Sequence, residues 1–321
     1  MSGRVGVVLG AGGVLGAAWS IGALQALSDT VGLDPRDAEV LIGTSAGSVL
    51  AASLGCGMSI ETLANHQAGT PAEGDPVVEY DYEHDTGGSL PPLPKLKLGS
   101  KGLLFTATIH PWKVTPMAAL SAVIPQGRGS LAPVGALVDA LAPAGEQAWA
   151  PHPATWVVAM DYATGKRTTF GRAGAPPARL SQAVMASCSI PGWFAPQVIG
   201  GRRYVDGGAC SPTSLDLVLP LGLDTVYVVS PMTSFSYDEP SSVAARLERH
   251  VRRLVTRRLV REAARVRRSG TTVVLLGPGP QDLEAIGANL MDPKRRERVF
   301  ETSLRTTRHA LESDFAVSAT A

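Results

Sequence analysis

Cysteine is scarce in this chain, with Cys56, Cys188 and Cys210 the only three in 321 residues. So few and so scattered, they supply neither a disulfide framework nor a zinc site, and small reduced core thiols of a cytoplasmic protein are expected. An excess of one charge sign is also missing: 29 basic against 28 acidic residues leave a net +1. A nucleic-acid binder usually carries a stronger basic balance, so no nucleic-acid partner is expected. Long apolar runs are absent too. Residues 5–27 carry no charge, but Gly6, Gly10, Gly12, Gly13, Gly16 and Gly22 interrupt them. That density of glycine fits a strand, a loop and then a helix better than a membrane span or a secretory leader. No other segment reaches the ~18 apolar residues of a spanning helix, so a soluble, unprocessed chain is expected.

What is present points to a well-buried α/β protein. A hydrophobic share of 45% and a mean hydropathy of +0.11 exclude a disordered chain. Val5–Leu9 and 39–42 are short apolar runs that read as buried parallel strands, with helices expected at about 17–27 and 46–54. Strand character returns at 155–160, 167–170, 203–205, 225–229 and 271–276, with a helix at about 180–186 and others at about 241–268 and 294–312. The alternation argues for a mostly parallel sheet with helices on both faces. No clean linker divides residues 1–321, so a single domain is expected.

Two segments stand out. Residues 69–115 hold six prolines, and seven acids with no Lys or Arg fall between Glu61 and Asp85. A connection of that length is a functional lid or a solvated insertion. Farther on, Arg246 to Arg268 holds ten Arg and two Glu. Val243, Leu247, Val251, Val255, Leu259, Ala263 and Val266 recur at helical spacing there, predicting one apolar face docked on the sheet. The arginines then face solvent, or they meet anionic lipid head groups, since the guanidinium fork suits phosphate.

Gly43-Thr-Ser45-Ala-Gly47 fits G-x-S-x-G. It follows a buried strand and opens a helix, the setting of a nucleophile elbow. The turn exposes Ser45 at a strand end, and the helix N-terminus aims amides at developing negative charge. Gly10-Ala-Gly-Gly-Val-Leu-Gly16 follows the first strand. Leu15 occupies the sixth position that a dinucleotide fingerprint gives to glycine, and no Gly-Lys-Ser/Thr completes a P-loop. A loop with free amides remains, able to cradle an anion. Tyr204-Val-Asp206-Gly-Gly208 puts a carboxylate at a strand end, whereas Asp161 reads as a turn residue.

Taken in order, these blocks resemble the patatin-like phospholipases, serine acyl hydrolases with a Ser–Asp dyad. Residues 11–16 are similar to the family's oxyanion loop, 43–47 to its elbow, 186–191 and 194–196 to its Ala-Ser-x-x-x-Pro segment, and 206–208 to its acid block. The resemblance covers about residues 4–230. It implies a three-layer α/β/α sandwich, a lipid or other acyl ester as substrate, and no cofactor or metal. It also implies Ser45 and Asp206 as the catalytic pair and Gly12 and Gly13 as the oxyanion hole. Gly43 and Gly47 would shape the elbow, and Gly207 and Gly208 the acid motif. A cytoplasmic chain with peripheral contact to anionic membrane through 246–268 follows as an expectation. Ala11 departs from a usual glycine, and Leu15 stands where Lys or Arg is common, which weakens a strict phospholipid preference. Two alternatives stay open. A Ser–His–Asp esterase would draw on His250 or His309, and a nucleotide-binding module would use 10–16 for phosphate.

Overall fold

The computed structural model describes residues 3–70, 91–94, 97–145, 148–235 and 243–319. Most of the acidic stretch, 71–90 and 95–96, therefore lies outside the described residues, and the lid reading with it. The chain builds one eight-stranded sheet: β1 (Val5–Leu9), β2 (Val40–Thr44), β3 (Thr155–Asp161), β4 (Arg167–Phe170), β5 (Gln197–Ile199), β6 (Arg202–Asp206), β7 (Thr225–Val229) and β8 (Thr272–Leu276). β3, β2, β1, β7 and β8 run parallel, while β4 and β6 each pair antiparallel with β3, and β5 pairs antiparallel with β6.

The helices are α1 (Gly13–Val31), α2 (Ala46–Gly55), α3 (Ile60–Ala68), α4 (Lys101–Ile109), α5 (Pro116–Val123), α6 (Ala132–Leu141), α7 (Leu180–Cys188), α8 (Val243–Arg268), α9 (Pro280–Ile286) and α10 (Arg296–Ala319). Alternate strand side chains sort them into two layers. Val7, Leu9, Leu41, Tyr227 and Val229 pack beneath α1, α2, α3 and α10. Val8, Ile42, Trp156, Val158, Val226 and Val228 pack on the other face against Leu259, Ala263 and Val266 of α8. Both faces of the parallel strands are covered, which is why their sequences read as unbroken apolar runs.

The register of β3 decides which strand ends meet. Ala159 and Met160 pair with both β4 and β6, so these two strands occupy opposite edges of β3. β2 also lies opposite β4, since Val157 and Val158 pair with both. β2 and β6 therefore share one edge: Thr44 stops opposite Val158, and Asp206 starts opposite Ala159. The residue after β2 and the last residue of β6 are thus brought together by backbone pairing alone.

The predicted stripe of the Arg-rich helix needs correction. Leu259, Ala263 and Val266 are buried as expected, but Leu247 is 68% exposed. Val251 and Val255 are only half-buried, and the side chain of Val243 lies outside the described residues. Arg249 and Arg252 turn inward instead. Arg252 is fully buried: it pairs with Glu248 and donates to the carbonyls of Pro231 and Thr233, the latter at 3.2 Å. A carboxylate partner and two carbonyl acceptors hold this guanidinium in the interior, so charge alone does not send it to solvent.

Candidate active site

Ser45 stands between β2 and α2 at φ 54°, ψ −126°. A non-glycine residue held there costs on the order of 1–3 kcal/mol, and the surroundings must over-determine it. They do so on three sides. The Ser45 N–H donates to Ser187 Oγ at 2.8 Å, and that hydroxyl donates onward to the Val158 carbonyl at 2.6 Å. Ser48 donates to the Ser45 carbonyl from both its N–H and its Oγ, each at 2.7 Å. The flanking glycines permit backbone contact that no side chain would allow. A Cβ on Gly43 would lie 2.4 Å from the Gly47 carbonyl oxygen, and one on Gly47 would lie 2.2 Å from that of Leu9.

Asp206 closes β6 beside Ser45, close enough for the serine side chain to pull its pKa down. The Gly208 N–H donates to Asp206 Oδ1 at 2.7 Å, so the acid block holds its own side chain. The Asp206 N–H donates to the Ser189 carbonyl at 3.0 Å. Burial raises the Asp206 pKa from 3.8 to about 6, against the lowering pull of the Ser45 and Gly208 hydrogen bonds. The block 186–191 thus ties both halves of the pair together: Ser187 holds the elbow and Ser189 the acid strand. Sequence reasoning singled out that block by resemblance but gave Ser187 no role.

A cleft of about 140 Å³ opens beside the pair, lined by Ser45 and largely by apolar side chains, among them Val14, Val49, Leu131, Val134, Phe194 and Met291. No lysine or arginine lines it among the described residues. Two helices begin at its wall, α1 at Gly13 and α2 at Ala46. The first N–H groups of each lack acceptors in their own helix and add partial positive charge. Gly13, at φ +63°, lines the cleft, whereas Gly12 is buried behind it against Pro231. Leu15 is fully buried in the core, so that position does not reach the cleft at all. His250 and His309, required by the Ser–His–Asp alternative, sit exposed on α8 and α10 and do not line the cleft. Asp161 is a turn residue as read, accepting from the N–H groups of Ala163 and Thr164 at 2.9 and 3.0 Å.

The family model described as patatin-like phospholipase matches residues 7–219. The chain belongs to the patatin-like phospholipase family. That family implies an acyl hydrolase with a lipid substrate. Among solved structures, the patatin-like chain is similar to VipD from Legionella pneumophila at 14% identity, over 98% of this chain and 67% of that one, with a TM-score of 0.45. The matched span contains all eight residues singled out from the sequence: Gly12, Gly13, Gly43, Ser45, Gly47, Asp206, Gly207 and Gly208. It stops short of α8, where the patatin-like chain buries Arg252 beneath the loop that backs Gly12.

That arginine reaches the site through one intermediary. Pro231 accepts from Arg252, and its ring packs where Cβ atoms on Gly12 and Gly16 would lie 2.6 and 3.2 Å from Cγ. Arg252→Met strands the Pro231 and Thr233 carbonyls, each a buried acceptor. The expected result is a loss of about 1–3 kcal/mol in urea unfolding. A fall in kcat with little change in KM should accompany it, because the loop behind the Gly13 amide loses its support.

Proposed function

We propose that the chain is a lipid acyl ester hydrolase of phospholipase A type, with Ser45 as nucleophile and Asp206 as its base. One observation carries the reading: a serine in a strained backbone conformation with a buried carboxylate beside it, at an apolar cleft where two helices begin. Asp206 accepts the hydroxyl proton as Ser45 Oγ adds to the ester carbonyl. The amides of Gly13 and Ala46, at the cleft wall, supply donors for the oxyanion, with Gly12 behind them, and the two helix termini favour its charge. Collapse of the tetrahedral intermediate expels the alcohol, which takes the proton from Asp206. Water then attacks the acyl-enzyme, again giving a proton to Asp206, and the acid leaves with Ser45 restored.

An ordinary aspartate is too weak a base for an alcohol. Desolvation that lifts Asp206 to about 6 strengthens it while leaving it ionised at neutral pH. The apolar walls suit an acyl chain. No lysine or arginine lines the cleft among the described residues to pair with a phosphate, which disfavours the nucleotide reading.

A fluorophosphonate probe tests the assignment of the nucleophile. The expected result is one covalent adduct per chain, located on Ser45 by peptide mass spectrometry. An adduct on another serine, or no adduct on folded protein, overturns it.

A further inference from the structure

We infer that the outward face of the α4–α5 hairpin is the surface by which this protein sits on an anionic lipid–water interface. The hairpin buries one side and leaves the other bare. Leu103, Val114, Ala118 and Ala122 pack with Met160 and Val205 of the sheet. The opposite side presents Phe105 at 67% exposure, Trp112 at 75% and Leu120 at 52%, together with Ile109, Met117 and Val123. Phe105 and Ile109 share one stripe of α4, and Met117, Leu120 and Val123 one stripe of α5, with Trp112 at the bend between them. A soluble surface scatters such side chains singly; a contiguous group of this size marks a binding face.

Charge selects the occupant. From Thr86 to Val138 the sequence contains no Asp or Glu, but it contains Lys95, Lys97, Lys101, Lys113 and Arg128. Lys97, Lys101, Lys113 and Arg128 are exposed. The hairpin and α8 also lie on the same side of the sheet, because Trp156, Val158 and Met160 are alternate residues of β3. The exposed Arg257 and Arg261 of α8 therefore stand on the hairpin's side of the molecule. Apolar side chains with an indole among them, on a segment whose only charged side chains are cations, match the boundary between acyl chains and anionic head groups.

The hairpin is also tied to the site. Thr115, which caps α5, donates to the Ala209 carbonyl at 2.6 Å, three residues beyond Asp206. The chain leaving α5 pairs Gly129 with Trp193 and Ala195, then supplies Leu131 to the cleft wall.

The inference leans on the hydrolase reading only for the use of the surface, and the experiment separates the two. Binding is read in the Ser45→Ala protein by co-sedimentation with vesicles of equimolar phosphatidylglycerol and phosphatidylcholine, and with phosphatidylcholine alone. The expected result is binding to the anionic vesicles that weakens with salt. Phe105→Asp with Leu120→Asp should lower the partition coefficient at least about tenfold. A blue shift of fluorescence on binding should diminish in Trp112→Phe. The hairpin substitutions in the chain with Ser45 intact should leave turnover of a water-soluble p-nitrophenyl ester unchanged, since these side chains do not line the cleft. Vesicle binding that survives the double substitution overturns the inference. So does a concentration-dependent dimer that the substitution dissociates while no vesicle binding occurs, which would assign the face to a second copy. Loss of vesicle binding in a chain that turns over no ester leaves the surface standing and removes the hydrolase reading.

Discussion

Asp206→Asn and Ser45→Ala are each expected to lower kcat/KM on a short p-nitrophenyl ester at about pH 8 by roughly 10²–10⁴-fold. Asparagine keeps the shape and a hydrogen bond to Ser45 but accepts no proton, so the loss isolates base catalysis from geometry. The pH profile gives a second readout. With the carboxyl pKa near 6, wild-type kcat/KM should be level above that value and fall tenfold per unit below it. Any residual activity of Asp206→Asn should lose that limb. Stability should move the opposite way. The folded-state pKa lies above the ordinary 3.8, so the fold favours the protonated carboxyl. The stability this confers is complete below 3.8 and is lost as pH rises through about 6. Above that, holding the ionised form costs on the order of 3 kcal/mol. Asp206→Asn should therefore melt higher than wild type at about pH 8 and show no such gain near pH 4. Equal pH–rate limbs in the two proteins would remove Asp206 from the chemistry.

The sheet was largely legible because its strands are covered on both faces. Val5–Leu9 and Thr225–Val229 begin and end where their apolar runs do. β5 escaped notice because it has three residues at an edge and too few alternations to show a period. α4 lies in the Pro-rich connection, read as a lid or a solvated insertion, and α5 and α6 follow it where no helix was expected. Pro116 and Pro133 in fact sit in the first turns of α5 and α6, where a missing N–H costs nothing. Ser100 and Thr115 cap the starts of α4 and α5 through the N–H groups of Leu103 and Ala118. The face of α8 was misread because pattern arguments place arginine outside, whereas Glu248 and two carbonyls hold Arg252 inside. In the site, Ser45 and Asp206 were visible because each carries a local glycine signature. Ser187 was not, because its contact with Ser45 spans 142 residues and exists only once the two strands share an edge of β3.

Gly47→Ala is expected to cost about 3 kcal/mol or more. The added methyl would lie 2.2 Å from the Leu9 carbonyl oxygen, 2.5 Å from its carbon and 2.7 Å from the Gly10 carbonyl oxygen. All three are backbone atoms, so no rotamer change relieves the clash. Leu9 cannot retreat, because β1 is paired on both sides, with Gly43 of β2 and Val229 of β7 opposite it. The strain must move α2 instead, and α2 carries the elbow at its first turn. Turnover should therefore fall along with the urea midpoint, even though Gly47 makes no contact with substrate in the proposed mechanism. Gly32→Ala supplies the control: Gly32 sits at a positive φ, +69°, but nothing lies within 4 Å of the added Cβ. It should cost only the ~1–2 kcal/mol of a left-handed alanine and leave turnover intact. A Gly47→Ala protein that unfolds at the wild-type urea midpoint with full activity would mean that α2 can lift from β1 freely. In that case the close packing of helix on strand would not be what holds Ser45 in its strained conformation beside Asp206.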